Sequence, residues 1–399
     1  MRPDPLRQGR PRRLALFTGN YNYTRDGASQ AVHRLVRRLE RNGDWTVRIY
    51  SPVTATPAFD RSREVVAVPS APTPLRPEYR IALGLPPRIA RDVRAFAPDI
   101  FHLATPDLLG AGAQRLARKL GTPMVSSVHT RFETYCDYYG LRWLKPLVAQ
   151  RIAAFYAGSD YVLAPTRPIA EAMAAEGLGD RVRIWSRGVD RAQFDPARRD
   201  MEWRRANGFA DEDLVAVFFG RLVMEKGLAV FAEAVRQAQR SQPRVRTLVI
   251  GEGPARTWLA QRLPGAVFTG LLTGDALGRA VASGDVLVNP SITEAFGNVT
   301  LEAMAAGLAP VCADVPSHRA LLGRGAGLLC ASGDPAAFAA AIVDMADQPL
   351  RRLRLARAGR EASAAFDWDA AIESVLDVYA EALGHGDEAA AAARSHAVG

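Results

Sequence analysis

Two glutamates, Glu294 and Glu302, lie eight positions apart in the stretch SITEAFGNVTLEAMAAG, residues 291–307. The apolar segment VLVNPS before them predicts a buried strand, and VTLEAMAA predicts a short helix that Gly307 can end in a left-handed conformation. Phe296, Gly297 and Asn298 form the turn between the two, and Val299 enters the first helical turn. A helix N-terminus presents unpaired N–H groups and about half a positive charge, which suits an anion such as a diphosphate. A carboxylate beside an anion site needs another kind of partner, and sugar or ribose hydroxyls can donate to it. Taken alone, Glu302 also fits a solvated helix residue and Glu294 a favourable first-turn charge.

A second segment, VAVFFGRLVMEKGL at 215–228, reads as a strand and then a loop bearing Arg221 and Lys226. Of 51 basic residues only Lys119, Lys145 and Lys226 are lysine. In a chain that writes nearly every positive charge as arginine, Lys226 suggests a need for a compact ammonium, although a surface lysine fits the same position.

These motifs resemble the retaining nucleotide-sugar glycosyltransferases of family 4 (glycosyl transferases group 1), in which a Glu, seven residues and a second Glu form the signature. The resemblance implies that Glu294 contacts the donor sugar and Glu302 the ribose, that Arg221 and Lys226 meet the diphosphate, and that Phe296 to Val299 line the donor site. It implies a glycine-rich loop near Gly27, where Gly27 is followed by Ala28 although two glycines are usual. It places Arg25 and Asp26 on the acceptor side. His129, in SSVHTRFETYCDYYG, resembles the histidine of the lipid-glycosylating members, the mannosyltransferases and sulfoquinovosyltransferases, where it helps place the sugar; IWSRGVD at 184–190 puts Arg187 and Asp190 with the same subgroup.

The elements that must hold these residues follow from periodicity. Short apolar runs at RRLALFT, TVRIYSP, VVAVPS, DIFHLATP, MVSSVHT, YVLAPT and VRIWSRGVD are interleaved with amphipathic stretches such as SQAVHRLVRRLERNG. VAVFFGRL, TLVIGEG, AVFTGLL, DVLVNPS and APVCAD repeat the pattern. Strands alternating with helices imply an α/β protein of right-handed βαβ units. The expected fold is GT-B, two Rossmann-like doubly wound parallel-sheet domains facing across a cleft, as the resemblance also implies. The expected divisions are 1–190 for the acceptor side, 191–366 for nucleotide-sugar binding, 367–384 for a helix returning to the first domain, and 385–399 for a disordered tail.

With 48% hydrophobic residues over 399 positions the chain can fill two cores. Cys136, Cys312 and Cys330 are too few and too scattered for a disulfide or zinc framework. No apolar run spans a bilayer and the basic N-terminus lacks the apolar core of a signal peptide, so the expected location is cytoplasmic, peripheral on the inner face of the cell membrane at most. Residues 1–190 carry a net charge of +12 and the remainder −3. That basic half suits an anionic lipid surface, with RPEYRIALGLPPRIARDVRAF as the stretch to lie on it, and suits an ordinary solvated face as well. No nucleic-acid module accompanies the charge. GEGPAR holds two of the three glycines of a dinucleotide fingerprint, a weak sign of a nicotinamide enzyme. The Asp-x-Asp triplets at 211–213 and 367–369 fall where carboxylates cap helices or turns, so no metal or other cofactor is expected.

The resemblance therefore implies a retaining, metal-independent transfer of a hexose to a hydroxyl acceptor, a membrane lipid or lipid-linked glycan, with mannose from GDP-mannose favoured because the Tyr-Tyr-Gly at 138–140 resembles the mannosyltransferases. The alternatives are a UDP-sugar enzyme acting on a soluble or polysaccharide acceptor, an epimerase of the same fold, and a non-catalytic peripheral membrane scaffold.

Overall fold

A computed structural model describes residues 10–21, 26–41, 43–54, 65–73, 76–130, 142–323 and 325–396; Arg25, Cys136 and the Tyr-Tyr-Gly segment lie outside these. The chain divides into two units, residues 1–186 with 369–399, and residues 187–368. The divisions thus fall at 186/187 and 368/369, against sequence boundaries at 190/191 and 366/367.

The first unit holds β1 (Arg12–Phe17), β2 (Trp45–Ser51), β3 (Val65–Ala67), a hairpin of β4 (Ser70–Thr73) and β5 (Arg76–Ala82), then β6 (Ile100–Leu103), β7 (Met124–Ser127), β8 (Tyr161–Ala164) and β9 (Val182–Ile184). Seven of these form one sheet in the order β3-β2-β1-β6-β7-β8-β9, with every pairing parallel. Four-residue runs such as IFHL and MVSS are buried throughout, as expected of parallel strands covered on both faces. The helix Leu108–Leu120 shows how local signals set an element. Asp107 caps its start by accepting from Gly110 N at 2.7 Å, and Gly121, at φ +64°, ends it in the left-handed region.

The second unit holds β10 (Leu214–Phe219), β11 (Val245–Ile250), β12 (Val267–Gly270), β13 (Val286–Asn289), β14 (Ala309–Ala313) and β15 (Leu328–Cys330), all parallel in the order β12-β11-β10-β13-β14-β15. Strand order reverses between β10 and β13. In open α/β sheets that switch point, beyond the carboxyl ends of the strands, is where ligands bind. The segments that follow these two strands carry Arg221 with Lys226, and Glu294.

Two expectations are corrected. The stretch expected on a membrane surface forms β5 and then the helix Pro87–Phe96, whose Ile89, Val93 and Phe96 are buried in the first unit's core. Its apolar face serves folding, and Ile81 and Leu83 are what remain exposed there. The last helix does not stop at 384 but runs Trp368–His396, carried on by an alanine-rich segment of high helix propensity. Among the described residues no helix is long and apolar enough to cross a membrane.

Candidate functional site

In the second unit the site begins where β10 ends. Gly220 and Gly227 both have positive φ, +139° and +74°, and between them the chain makes a single tight turn over Met224–Lys226. A Cβ at Gly227 would lie 2.7 Å from the Pro290 carbonyl oxygen, so only glycine lets this loop press against the end of β13. The Thr293 hydroxyl donates to the Glu225 carbonyl at 3.3 Å and ties the two loops together. Across them, Lys226 Nζ donates to Glu294 Oε1 at 2.6 Å. The Lys226 side chain is 33% exposed and that of Glu294 11%. Two residues expected on separate parts of a donor are here paired with each other, 68 positions apart in the chain.

Burial alone would push the Glu294 carboxyl up. The Lys226 ammonium and its hydrogen bond, with His318 and Ser291 adding to them, outweigh this and hold it below the usual 4.5. Glu294 is thus an anion at neutral pH, able to accept hydrogen bonds and unable to give a proton. Behind it, Asn289 Nδ2 donates to Thr300 Oγ1 at 3.0 Å and meets His318 Nε2 at 3.2 Å, while Asn289 Oδ1 accepts from Ser291 N at 3.2 Å. His318 Nδ1 lies 2.9 Å from the Ala313 carbonyl oxygen, which can only accept, so Nδ1 carries the proton and Nε2 receives the Asn289 amide. Burial lowers the pKa of this imidazole, against the pull of the Glu294 carboxylate. The network fixes the path from β13 into the helix Asn298–Ala305.

Gly297 precedes that helix at φ +102°, and a Cβ there would come within 3.0 Å of Leu321. Phe296 lies in the same turn. Its side chain is buried in the core and set edge-on to Phe366, so only its backbone borders the turn. Asn298 Oδ1 is buried and accepts no hydrogen bond among the described residues. Val299 and Glu302 are half-buried on the helix, and Arg221 is half-buried beyond β10. Arg187 and Asp190, read from sequence as first-domain residues, fall in the second unit. Arg187 is buried, its guanidinium pushed down to about 10 by desolvation, and Asp190 Oδ1 accepts from Gln193 N at 3.1 Å.

The Asp-x-Asp triplets have other partners. Asp211 pairs with Arg205 at 2.6 Å, Asp213 accepts from Ala210 N at 2.8 Å, and Asp369 stands in the first turn of the last helix. Among the described residues no group of three or more His, Cys, Asp or Glu is arranged to hold a metal ion.

In the first unit, Gly27 opens the helix Gly27–Arg41 and Asp26 caps it. Asp26 Oδ1 accepts from Ser29 N at 2.7 Å, and Oδ2 accepts from Asn20 Nδ2 at 3.0 Å and the Tyr79 hydroxyl at 3.3 Å. This capping geometry sets its orientation. His129 follows β7 by two residues, its Nε2 2.8 Å from Ser127 Oγ and its ring edge-on to Trp185 at 5.3 Å.

Sequence reasoning missed the residues behind the site: Thr293, Asn289 and His318 in the second unit, and Ser127 and His102 in the first. A histidine inside the apolar run DIFHLA was a usable sign of a buried, neutral imidazole. His318 and Asn289 carried no such sign.

The family model described as Glycosyltransferase Family 4 matches residues 25–193, and that described as Glycosyl transferases group 1 matches residues 213–348. The chain is 33% identical to a GDP-mannose-dependent alpha-mannosyltransferase of Mycolicibacterium smegmatis, over 93% of this chain and 98% of that protein. It is 31% identical to the sulfoquinovosyl transferase SQD2 of Arabidopsis thaliana, over 93% of this chain and 74% of that one. Among solved structures, a sucrose-phosphate synthase from Thermosynechococcus elongatus superposes with a TM-score of 0.74 at 20% identity, covering 94% of this chain and 100% of that one. WaaG, a glycosyltransferase involved in lipopolysaccharide biosynthesis, does so at 0.68 and 17%, covering 92% and 99%. Both likenesses are of fold, which is GT-B. On these matches the chain belongs to glycosyltransferase family 4 and is a glycosyltransferase.

Proposed function

We propose that the protein transfers a hexose, mannose from GDP-mannose, to a hydroxyl of a membrane lipid or lipid-linked glycan, with retention at the anomeric carbon and without a metal ion. The observation that carries this reading is the Lys226–Glu294 pair beyond β10 and β13. In it an ammonium suited to a diphosphate adjoins a carboxylate kept ionised for sugar hydroxyls. Lys226 and Arg221 neutralise the leaving diphosphate, and the N–H groups at the start of Asn298–Ala305 receive one of its phosphates. Glu294 orients the sugar and Glu302 the ribose. Asn298 Oδ1, a buried acceptor with no donor, is open to a ligand hydroxyl. Gly27 and His129 are the first unit's contribution to the transfer.

An ionised Glu294 paired with Lys226 is a poor general acid. That supports a front-face displacement in which the departing phosphate takes the acceptor proton. Positive side chains at the diphosphate, together with the partners that already occupy Asp211 and Asp213, support metal independence. The mannosyltransferase relatives favour GDP-mannose. The 31% identity to a sulfoquinovosyl transferase favours a second reading, in which another nucleotide sugar replaces it.

The test is turnover of GDP-mannose and of UDP-sugars with lipid acceptors, with the product anomer read by NMR. The reading requires release of GDP and an α-linked product. Release of UDP alone would shift the donor, and an inverted product would overturn the retaining mechanism.

A further inference from the structure

The residue that holds His129 is itself held by a buried chain of polar atoms. The Tyr379 hydroxyl, on the last helix, lies 2.5 Å from His102 Nδ1; His102 Nε2 lies 2.8 Å from Ser127 Oγ; and Ser127 Oγ lies 2.8 Å from His129 Nε2. His102, Tyr379 and Ser127 are all but inaccessible to solvent. Trp185 sets its edge against both imidazoles, at 5.8 and 5.3 Å, and Trp45 packs on the ring of Tyr379 at 5.6 Å. Four side chains from β6, the end of β7, the segment after it and the C-terminal helix thus make one line within the first unit.

One arrangement of the protons on that line gives every buried donor an acceptor. Among the described residues the Tyr379 hydroxyl makes no other hydrogen bond, so in a buried site its proton must go to His102 Nδ1. Burial keeps His102 neutral, with its pKa pushed down to about 3, so its own proton is on Nε2 and is donated to Ser127 Oγ. The Ser127 hydroxyl then donates to His129 Nε2, and a neutral His129 carries its proton on Nδ1. Ser127 Oγ could also accept from both imidazoles, but its own buried proton would then have no acceptor among the described residues, which selects donation to His129 Nε2.

We propose that Tyr379 fixes the tautomer of His129 through His102 and Ser127, with Nδ1 as the protonated nitrogen of that ring. Tyr379, His102 and Ser127 are positioning residues. The kinetic effect expected below rests on the reading of His129 as part of the transfer site, and the tautomer does not. Removing only the tyrosine oxygen frees His102 to carry its proton on either nitrogen, and the serine can then point both ways.

The test is nitrogen-15 NMR of the full-length protein labelled at its six histidines, assigned with His102→Gln and His129→Gln, together with steady-state kinetics. Wild type should show His102 as the neutral Nε2–H form and His129 as the Nδ1–H form. Tyr379→Phe should mix the two His129 tautomers and lower kcat roughly 10-fold with the donor KM nearly unchanged. Ser127→Ala should release His129 from the line, and Ser127→Thr, which keeps the hydroxyl, should restore the wild-type signature. A wild-type His129 in the Nε2–H form, or a tautomer indifferent to both Tyr379→Phe and Ser127→Ala, would overturn the proposal whatever the kinetics. A tautomer that shifts while kcat stays constant would uphold control by Tyr379 and remove His129 from the transfer site.

Discussion

Lys226 and Glu294 each look ordinary alone, and their meaning comes from the 2.6 Å between them. Losing the ammonium should leave the diphosphate charge uncompensated, so Lys226→Ala should lower kcat about 100- to 1000-fold, measured on whichever donor the enzyme turns over. Glu294→Gln keeps the shape and removes the charge. Because the folded carboxyl titrates below its unfolded value of 4.5, the pair stabilises the fold above that value and loses its effect as the pH falls through the lower, folded one. The gap in melting temperature between wild type and Glu294→Gln should accordingly be widest above about pH 5 and close on further acidification. A gap that widened in acid would show that the pair is not what holds Glu294 ionised. The types and spacing of these residues were legible in the sequence. Their pairing was not, since it depends on two loops meeting beyond separate strands. Asn289 and His318 were likewise silent, because a polar side chain in a strand or helix gives no sign of which buried partner it will meet.

At the scale of elements, runs that fill a strand on both faces were readable wherever they exceeded about four apolar residues. β15, with three residues, and the β4–β5 hairpin, whose second strand begins Arg-Pro-Glu, lacked that signature. The apolar residues of Pro87–Phe96 could be read as a membrane face only because sequence does not say which side of a helix meets the core. The far end of the second sheet yields a different prediction. Asp285, just before β13, accepts from Val215 N on β10 at 2.8 Å and pairs with Arg199 at 2.7 Å and the fully buried Arg204 at 3.0 Å. It clamps the two strands that flank the switch point, opposite the end that bears Lys226 and Glu294. Asp285→Ala leaves Arg204 buried without its carboxylate and should destabilise the second unit by about 3–5 kcal/mol in denaturant unfolding. The folded fraction should keep its donor KM. A change below 1 kcal/mol would mean that Arg204 is satisfied by the Ser283 and Asp213 carbonyls alone.

Over the whole molecule, charge is divided as the sequence divides it, +12 over residues 1–190 and −3 over the rest. With Ile89, Val93 and Phe96 committed to the core, attraction to a membrane would rest on arginine more than on apolar insertion. Cosedimentation with vesicles of anionic lipid should therefore be strong at low salt and fall away by about 0.5 M salt, where the screening length drops to a few ångströms. Equal binding to neutral vesicles would point instead to insertion by exposed side chains such as Leu83 or Trp143.

The central claim, a nucleoside diphosphate held at Lys226, is tested most directly by thermal unfolding with GDP, UDP and ADP, with and without magnesium, in wild type and Lys226→Ala. At a hundred times its dissociation constant a bound nucleotide contributes about 2.7 kcal/mol, a rise of roughly 5–10 °C for a unit of this size. GDP should raise the melting temperature of the wild type, magnesium should change nothing, and Lys226→Ala should lose the effect. Stabilisation that required magnesium or survived in Lys226→Ala, or no stabilisation by any of the three, would contradict the claim.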